Sequence, residues 1–270
     1  WNSPVPDSHM AAGVIREVDP RLDWTVGRDN VPYKDWGLHN RSWIRDASYS
    51  GPYSGKKPSH EQSAAGSSEN NVGWQATQTN NVNVQPLRYA DVLLLLAEAE
   101  VEVGTRARAT QLVHLVRARA AAGAQGCGTN SLADVVAAYP TCATDAAIQP
   151  MSIPLAAVSA TLDSLVTPWA HYRIGLYPTF ATQAAARQAV HIERRLELAM
   201  EGQHFFDLHR WGGSDSVIAN YITKEVTRIP YLSLAQAYSL PKYARYPIPT
   251  VQIELSRVGT EDRLQQNPSW

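Results

Sequence analysis

Cysteine is nearly absent from this chain of 270 residues: Cys127 and Cys142 are the only two, set in a Gly- and Thr-containing stretch with no CxxC pair and no histidine at ligand spacing. That excludes the usual zinc and dithiol redox motifs. A disulfide between Cys127 and Cys142, and with it an oxidising compartment, is the expectation, and two inert buried thiols are the alternative. Charge of one sign is also lacking, because Lys and Arg number 24 against 25 Asp and Glu, for a net charge of -1. Without a basic block the electrostatic footprint of a nucleic-acid binder is missing. Long hydrophobic runs are absent too. The most apolar stretch, Val92 to Ala97, is flanked by Asp91 and Glu98 and is far shorter than the ~20 residues of a membrane span. GxSxG, GxxxxGK[ST], GxGxxG and HExxH do not occur, which removes motif support for a hydrolase, a nucleotide binder or a metalloprotease, and no cofactor is expected. The chain opens WNSPVPD, with no initiator Met and no charged or apolar leader, so its start reads as internal.

What is present changes in kind along the chain. Residues 1–85 are rich in Asn, Ser, Gly and Pro and hold no sustained helical period, which predicts a loop-dominated region. The aromatics of this region argue for order, since rings gain by burying area or by stacking on something. From Leu87 to Val103 the pattern turns helical, with Val92, Leu96, Ala99 and Val103 on one stripe and Tyr89 and Leu93 on the next, an apolar coverage that predicts an inner helix. Gly104 ends it and Thr105 caps a second helix whose buried face is Ala109, Leu112, Val113, Val116 and Ala120. Residues 124–182 read as an insertion, mostly coil with a short helix over Leu132 to Ala138, and a second helix pair runs from Thr182 to Trp211. The prolines of the terminal YPIPTVQIELSRVGTEDRLQQNPSW favour an extended strap. The expected fold class is therefore mainly α: tetratricopeptide-like helical hairpins with a long irregular N-terminal region and an extended C-terminal strap. It is read as one domain, 1–270, divided into 1–85, 86–123, 124–182 and 183–270.

Residues 191–212, HIERRLELAMEGQHFFDLHRWG, join a charged amphipathic helix to an aromatic turn. Ala189, Ile192, Leu196 and Ala199 form an apolar stripe, Glu193, Glu197 and Glu201 line a second face, and Gly202 stops the helix. Three carboxylates in a row suit glycoside hydrolysis. Arg194, Arg195 and Arg210 nearby account for the row as ion pairs without chemistry. His204 and His209 with Asp207 read as packing, with no metal ligand set beside them. The candidate ligand contacts are Trp24, Tyr33, Trp36, Trp43, Tyr49 and Tyr53, with Asn40 and Arg41 as hydrogen-bonding neighbours. Sugar rings present an apolar C–H face that stacks on indole or phenol, and their hydroxyls take planar amides and charged donors. The alternative is that these rings fasten a long loop region onto the helices.

Four blocks in this order resemble the C-terminal half of the SusD/RagB family of glycan-binding outer-membrane lipoproteins: PLRYADVLLLLAEAE, VRARA at 116–120, IERRLELAMEGQHFFDLHRWG, and YPIPTVQIE with QQNPSW. DPRLDW at 19–24 and GPYSGKK at 51–57 resemble two further family elements. The resemblance implies a non-catalytic subunit at the extracellular face of the outer membrane, which captures oligosaccharide or peptide for a SusC-like TonB-dependent transporter. The first helical repeats and the lipidated cysteine of such proteins are not in the sequence, which suggests a fragment, a processed product, or one part of a larger assembly in which a separate chain supplies the N-terminal half. The rival expectation is a structural or assembly subunit of a surface complex or filament that uses the same scaffold without binding glycan.

Overall fold

The computed structural model of the chain describes residues 17–31, 33–34, 36–59, 85–122, 163–166, 171–237, 245–268 and 270. The expected disulfide of Cys127 and Cys142 and the helix over Leu132 to Ala138 lie outside the described residues. The fold is mainly α, and contacts divide it into two compact units, Trp1–Glu201 and Gly202–Trp270. The division falls between the two helices read from the sequence as a second pair.

The first unit is built on three helices. α1, Arg21–Thr25, belongs to the N-terminal layer, as do the short strand β1, Glu17–Val18, the strand β2, Val26–Gly27, the helical turn α2, Ala47–Ser50, and the strand β3, Ser54–Gly55. The frame beneath consists of α3, Tyr89–Val103, and α4, Arg106–Ala122, joined by Gly104 and Thr105. A two-residue connection forces two helices in contact to run antiparallel. Thr105 caps α4 as expected, its hydroxyl accepting from the Arg108 N–H at 3.2 Å. α5, Gln183–Glu197, packs on both, capped by the Thr182 hydroxyl at 3.1 Å from the Ala185 N–H. The core between them joins Leu94, Ala97 and Val101 of α3, Ala109, Leu112, Val113 and Val116 of α4, and Ala186, Ala189 and Val190 of α5, with Phe180. Four of these are alanines, and small side chains let helix axes approach closely.

The buried face of α4 is the one the periodicity predicts. For α3 the pattern predicts an inner helix without choosing a face, and α5 turns inward a face other than its apolar stripe. In α3 the stripe of Val92, Leu96 and Val103 is exposed, while Leu94, Ala97 and Val101 are buried. In α5 the buried face includes Glu193, Arg194 and Glu197, and Ile192 and Leu196 lie only half-buried. An apolar-inside rule keeps Ala189 but misses the charged part of the face, because buried charges are stable only when paired, and the partners come from elsewhere in the chain.

The 124–182 segment is not all coil. β4, Asp163–Val166, pairs antiparallel with β5, His171–Ile174, and β1 adds parallel to β5 with Glu17 opposite His171. Leu165–Val166 and Tyr172–Ile174 carry the β-favouring residues of that hairpin. The sheet ties the N-terminal layer to the segment leading into α5.

The second unit holds α6, Gln203–Arg210, α7, Ser214–Glu225, a 3-10 helix at Pro230–Ala237, and α8, Thr250–Leu255, followed by β6, Arg257–Val258, and β7, Glu261–Asp262. Gly202 stands at φ +83, a left-handed conformation that glycine adopts without strain. Arg210 pairs with Asp207 three residues back at 2.9 Å. The closing segment departs from the extended strap: Pro249 starts α8, where its fixed φ suits a helix entry, and its carbonyl accepts the Gln252 N–H at 2.8 Å. Gln266 braces the YPIP stretch from both sides, accepting from the Ile248 N–H and donating to the Ile248 carbonyl.

Candidate functional site

The N-terminal layer is held to the helical frame by buried ion pairs, and these fix where its aromatic rings can point. α1 starts with Pro20 at its cap, so Arg21 leaves the layer in the first helical turn. Its guanidinium bridges three carboxylates: Asp19 at 2.8 Å, Glu193 at 2.6 Å and Glu197 at 3.3 Å. Arg117 of α4 holds the other oxygen of Glu193 at 2.9 Å, and its guanidinium also lies 4.6 Å from the ring centre of Tyr177. Arg88, just ahead of α3, binds Glu197 at 2.9 Å and Glu201 at 2.8 Å. Lys57 reaches Glu201 at 2.5 Å, and Arg119 closes on Glu197. A separate buried pair, Arg194 with Asp91 at 2.8 Å, links α5 to α3.

The glutamate row is thus paired as the sequence suggests, but with different cations. Arg21, Arg117, Arg88, Arg119 and Lys57 replace the expected Arg194, Arg195 and Arg210. Each of these five falls inside or beside one of the recognisable blocks: DPRLDW, PLRYAD, VRARA and SGKK. That coincidence was the available signal. Burial raises the Asp19 pKa, but the charge and hydrogen bonds of Arg21 outweigh it and hold the carboxyl below its usual range. Burial acts on Glu201 in the same way, and hydrogen bonds from Arg88 and Lys57 leave its pKa lowered. Burial lowers the pKa of Lys57, although Glu201 opposes it. Each glutamate of the row is thus held by at least two cationic side chains.

The layer has its own polar centre. Asp23, fully buried, takes Arg28 in a two-pronged pair at 2.6 and 2.7 Å, and its carbonyl accepts from Lys56 at 2.6 Å. The Lys56 ammonium lies 5.7 Å from the ring centre of Tyr33. Tyr33 is buried, and its hydroxyl bonds the Gly55 carbonyl at 2.7 Å and the Ser59 hydroxyl at 2.6 Å. His39 is buried beside it, with Nε2 2.9 Å from the Ser54 hydroxyl, and burial lowers its pKa. Gly27 completes the packing, because a Cβ there would come within 2.7 Å of the Tyr33 ring and 2.8 Å of His39.

Burial drives the Lys56 pKa from 10.5 down to about 7; the Asp23 charge resists, and Arg28 and Lys34 add to the fall. Because the folded value lies below the unfolded one, the unfolded chain binds the extra proton between about pH 7 and 10.5, so stability from this group rises with pH across that window. In a protein labelled with ¹³C-lysine, the Lys56 ε-carbon is expected to titrate near neutrality, and Lys56→Met should remove both that signal and the rise in urea midpoint. A midpoint for that carbon above pH 10 would contradict the geometry.

Around this centre the predicted contact residues divide. Tyr33 is an internal anchor. Trp43 packs its edge on Tyr33 at 5.8 Å and on His39 at 5.3 Å, yet leaves 48% of its surface in solvent. Trp24 on α1, Trp36 and Tyr49 on α2 are also exposed, Tyr49 by 62%, and Tyr53 is half-buried. Asn40 is exposed with its carbonyl oxygen capping the 3-10 turn Arg41–Trp43 at the Ser42 N–H, 2.8 Å away. Arg41 is exposed, and its backbone N–H donates to Asp29 at 2.7 Å.

The helical frame clamps an irregular layer by buried arginine–glutamate pairs, and four large rings of that layer, Trp24, Trp36, Trp43 and Tyr49, are partly exposed. Residues 12–270 match the SusD family. The chain belongs to that family, and membership implies a nutrient-binding protein of the cell surface. No curated protein matches the chain. Among the described residues, no helix is long and apolar enough to cross a membrane.

Proposed function

We propose that this chain is a non-catalytic subunit at the outer face of the outer membrane, which captures oligosaccharide and passes it to a SusC-like TonB-dependent transporter; peptide is the alternative ligand. The observation that carries the reading is the set of exposed rings, Trp24, Trp36, Trp43 and Tyr49, on a layer whose backbone is pinned from below. Pinning matters because a surface ordered before binding loses less entropy when ligand arrives. A non-catalytic role is supported by the glutamate row, since Glu193 and Glu197 are each engaged by two or more arginines.

Isothermal titration against glucans, pectins, hemicelluloses and a peptide mixture tests the proposal. Saturable heat from at least one saccharide class is expected, and silence across glycans and peptides would overturn substrate capture. A second reading, a structural subunit without glycan binding, is favoured by one observation, the exposed apolar row of α3. It predicts the silent titration.

A further inference from the structure

His39 is a pivot of the N-terminal layer. Its carbonyl accepts from the Asn30 N–H at 2.8 Å and its own N–H donates to the Val31 carbonyl at 2.9 Å, which fastens the turn Arg28–Val31 to the segment that follows. The next residue, Asn40, caps the 3-10 turn Arg41–Trp43. A shift of residue 39 is thus passed to the turn that carries Trp43.

The ring of His39 is fully buried and poor in hydrogen bonds. Nε2 faces the Ser54 hydroxyl at 2.9 Å, while Nδ1, equally out of water, has no partner among the described residues. A neutral imidazole can leave one nitrogen unbonded. An imidazolium carries a charge and two N–H donors, and here it would meet one acceptor. The charged groups that act on the ring are Lys56, which repels a cation, and Asp29, which attracts one but already accepts the Arg41 backbone N–H. Lys56 carries its charge below about pH 7, so its repulsion is in place wherever His39 would gain a proton. Burial is the main cause that holds the His39 pKa below its ordinary 6.5; Asp29 opposes the fall and Lys56 adds to it. Stability from this group is therefore present above 6.5 and lost as pH falls through the folded value. Tyr33 lies 5.5 Å from the imidazole and Trp43 packs edge-on at 5.3 Å. Of these two rings Trp43 alone reaches solvent, so the way of a charged His39 to water runs past it.

We infer that His39 is an acid-sensitive latch for Trp43: protonation of its ring breaks the Tyr33–His39–Trp43 stack and releases the indole, so the aromatic surface is assembled near neutrality and loses Trp43 in mild acid. The consequence for ligand rests on the proposed saccharide capture. The latch itself does not, and its test reads Trp43 in the ligand-free chain.

The 270-residue chain is labelled with 5-fluorotryptophan and ¹³C-histidine, the Trp43 resonance is assigned with Trp43→Phe, and both nuclei are followed by NMR from about pH 8 to about pH 4.5, the range of histidine titration. Trp43 and His39 should move along one curve with a shared midpoint below 6.5, and Trp24, on α1, should not follow. The difference in Trp43 fluorine shift between H₂O and D₂O should grow in acid as the indole enters solvent. Lys56→Met should raise the two midpoints together, because it removes the repelling charge. His39→Phe keeps a ring in place and should leave Trp43 flat over the same range. Should that variant melt early in circular dichroism, His39→Gln, whose amide reaches the Nε2 position, serves instead with the same expectation. A Trp43 resonance that is flat below pH 7 in the native chain, or that titrates unchanged in the His39 variant, would overturn the latch, as would a His39 midpoint at or above 6.5. Silence of saccharides in calorimetry beside a Trp43 that follows His39 would fail the capture reading alone and support the latch.

Discussion

Replacing Arg21 by methionine should lower the free energy of unfolding at pH 7 by about 3–5 kcal/mol, the cost of leaving a buried charge without its partner. The side chains are similar in length, so little of that loss comes from packing. Glu193 keeps Arg117, and Glu197 keeps Arg88 and Arg119. Asp19 fares worst, because both of its carboxylate oxygens receive Arg21 and the group is only 3% exposed.

That asymmetry gives the prediction a pH signature. In the native chain the folded Asp19 pKa lies below 3.8, so its contribution to stability is present above that value and is lost as pH falls through the folded pKa. Without the Arg21 guanidinium, burial is opposed only by the residue-21 backbone N–H and the Arg117 charge, so the folded pKa rises relative to the native chain, and the variant suffers at neutral pH and recovers as Asp19 takes up a proton. Urea unfolding should therefore show a difference between native and variant chains that shrinks from pH 7 to about pH 3.5. Adding Asp19→Asn to Arg21→Met should restore a large part of the loss at pH 7. A loss below about 1 kcal/mol, the range of solvent-exposed pairs, would mean that the clamp does not hold the layer.

The same clamp explains what could be read from the sequence. The period of α4 and the cap at Thr105 are local, set by residues within a turn of one another, and they appear where the pattern puts them. The orientation of α5 is not local. Its inner face is decided by Arg21 and Arg117, which lie far away in the chain and convert Glu193 and Glu197 from surface residues into core. For α3 the pattern is ambiguous for another reason: both seams are apolar, and periodicity cannot choose which of them meets α4. Among the rings, spacing could not separate anchor from surface. Tyr33 is distinguished by Gly27, Lys56 and the Ser59 hydroxyl closing around it, contacts that no run of adjacent residues encodes.

Separation of anchor from surface is what a ring-by-ring experiment should reproduce. Trp36→Ala and Tyr49→Ala remove partly exposed rings, so each should cost less stability than the roughly 3–5 kcal/mol of truncating a core aromatic. If saccharide stacks on them, each should weaken binding by about five- to twentyfold, the range of one aromatic contact with its buried area. Trp24→Ala and Trp43→Ala should weaken binding comparably, and Trp43→Ala should also cost stability through its edge contacts to Tyr33 and His39. Tyr33→Phe keeps the ring and removes a hydroxyl that bonds Gly55 and Ser59, so it should cost about 1–2 kcal/mol of stability. Its effect on affinity should be small when measured well below the melting temperature. The combined Trp24, Trp36, Trp43 and Tyr49 alanine variant should lose saccharide binding altogether in isothermal titration while circular dichroism still reports a folded helical frame. Retention of native affinity by that variant would place the binding surface elsewhere, and would leave the aromatic layer as a structural cover for the arginine and glutamate pairs beneath it.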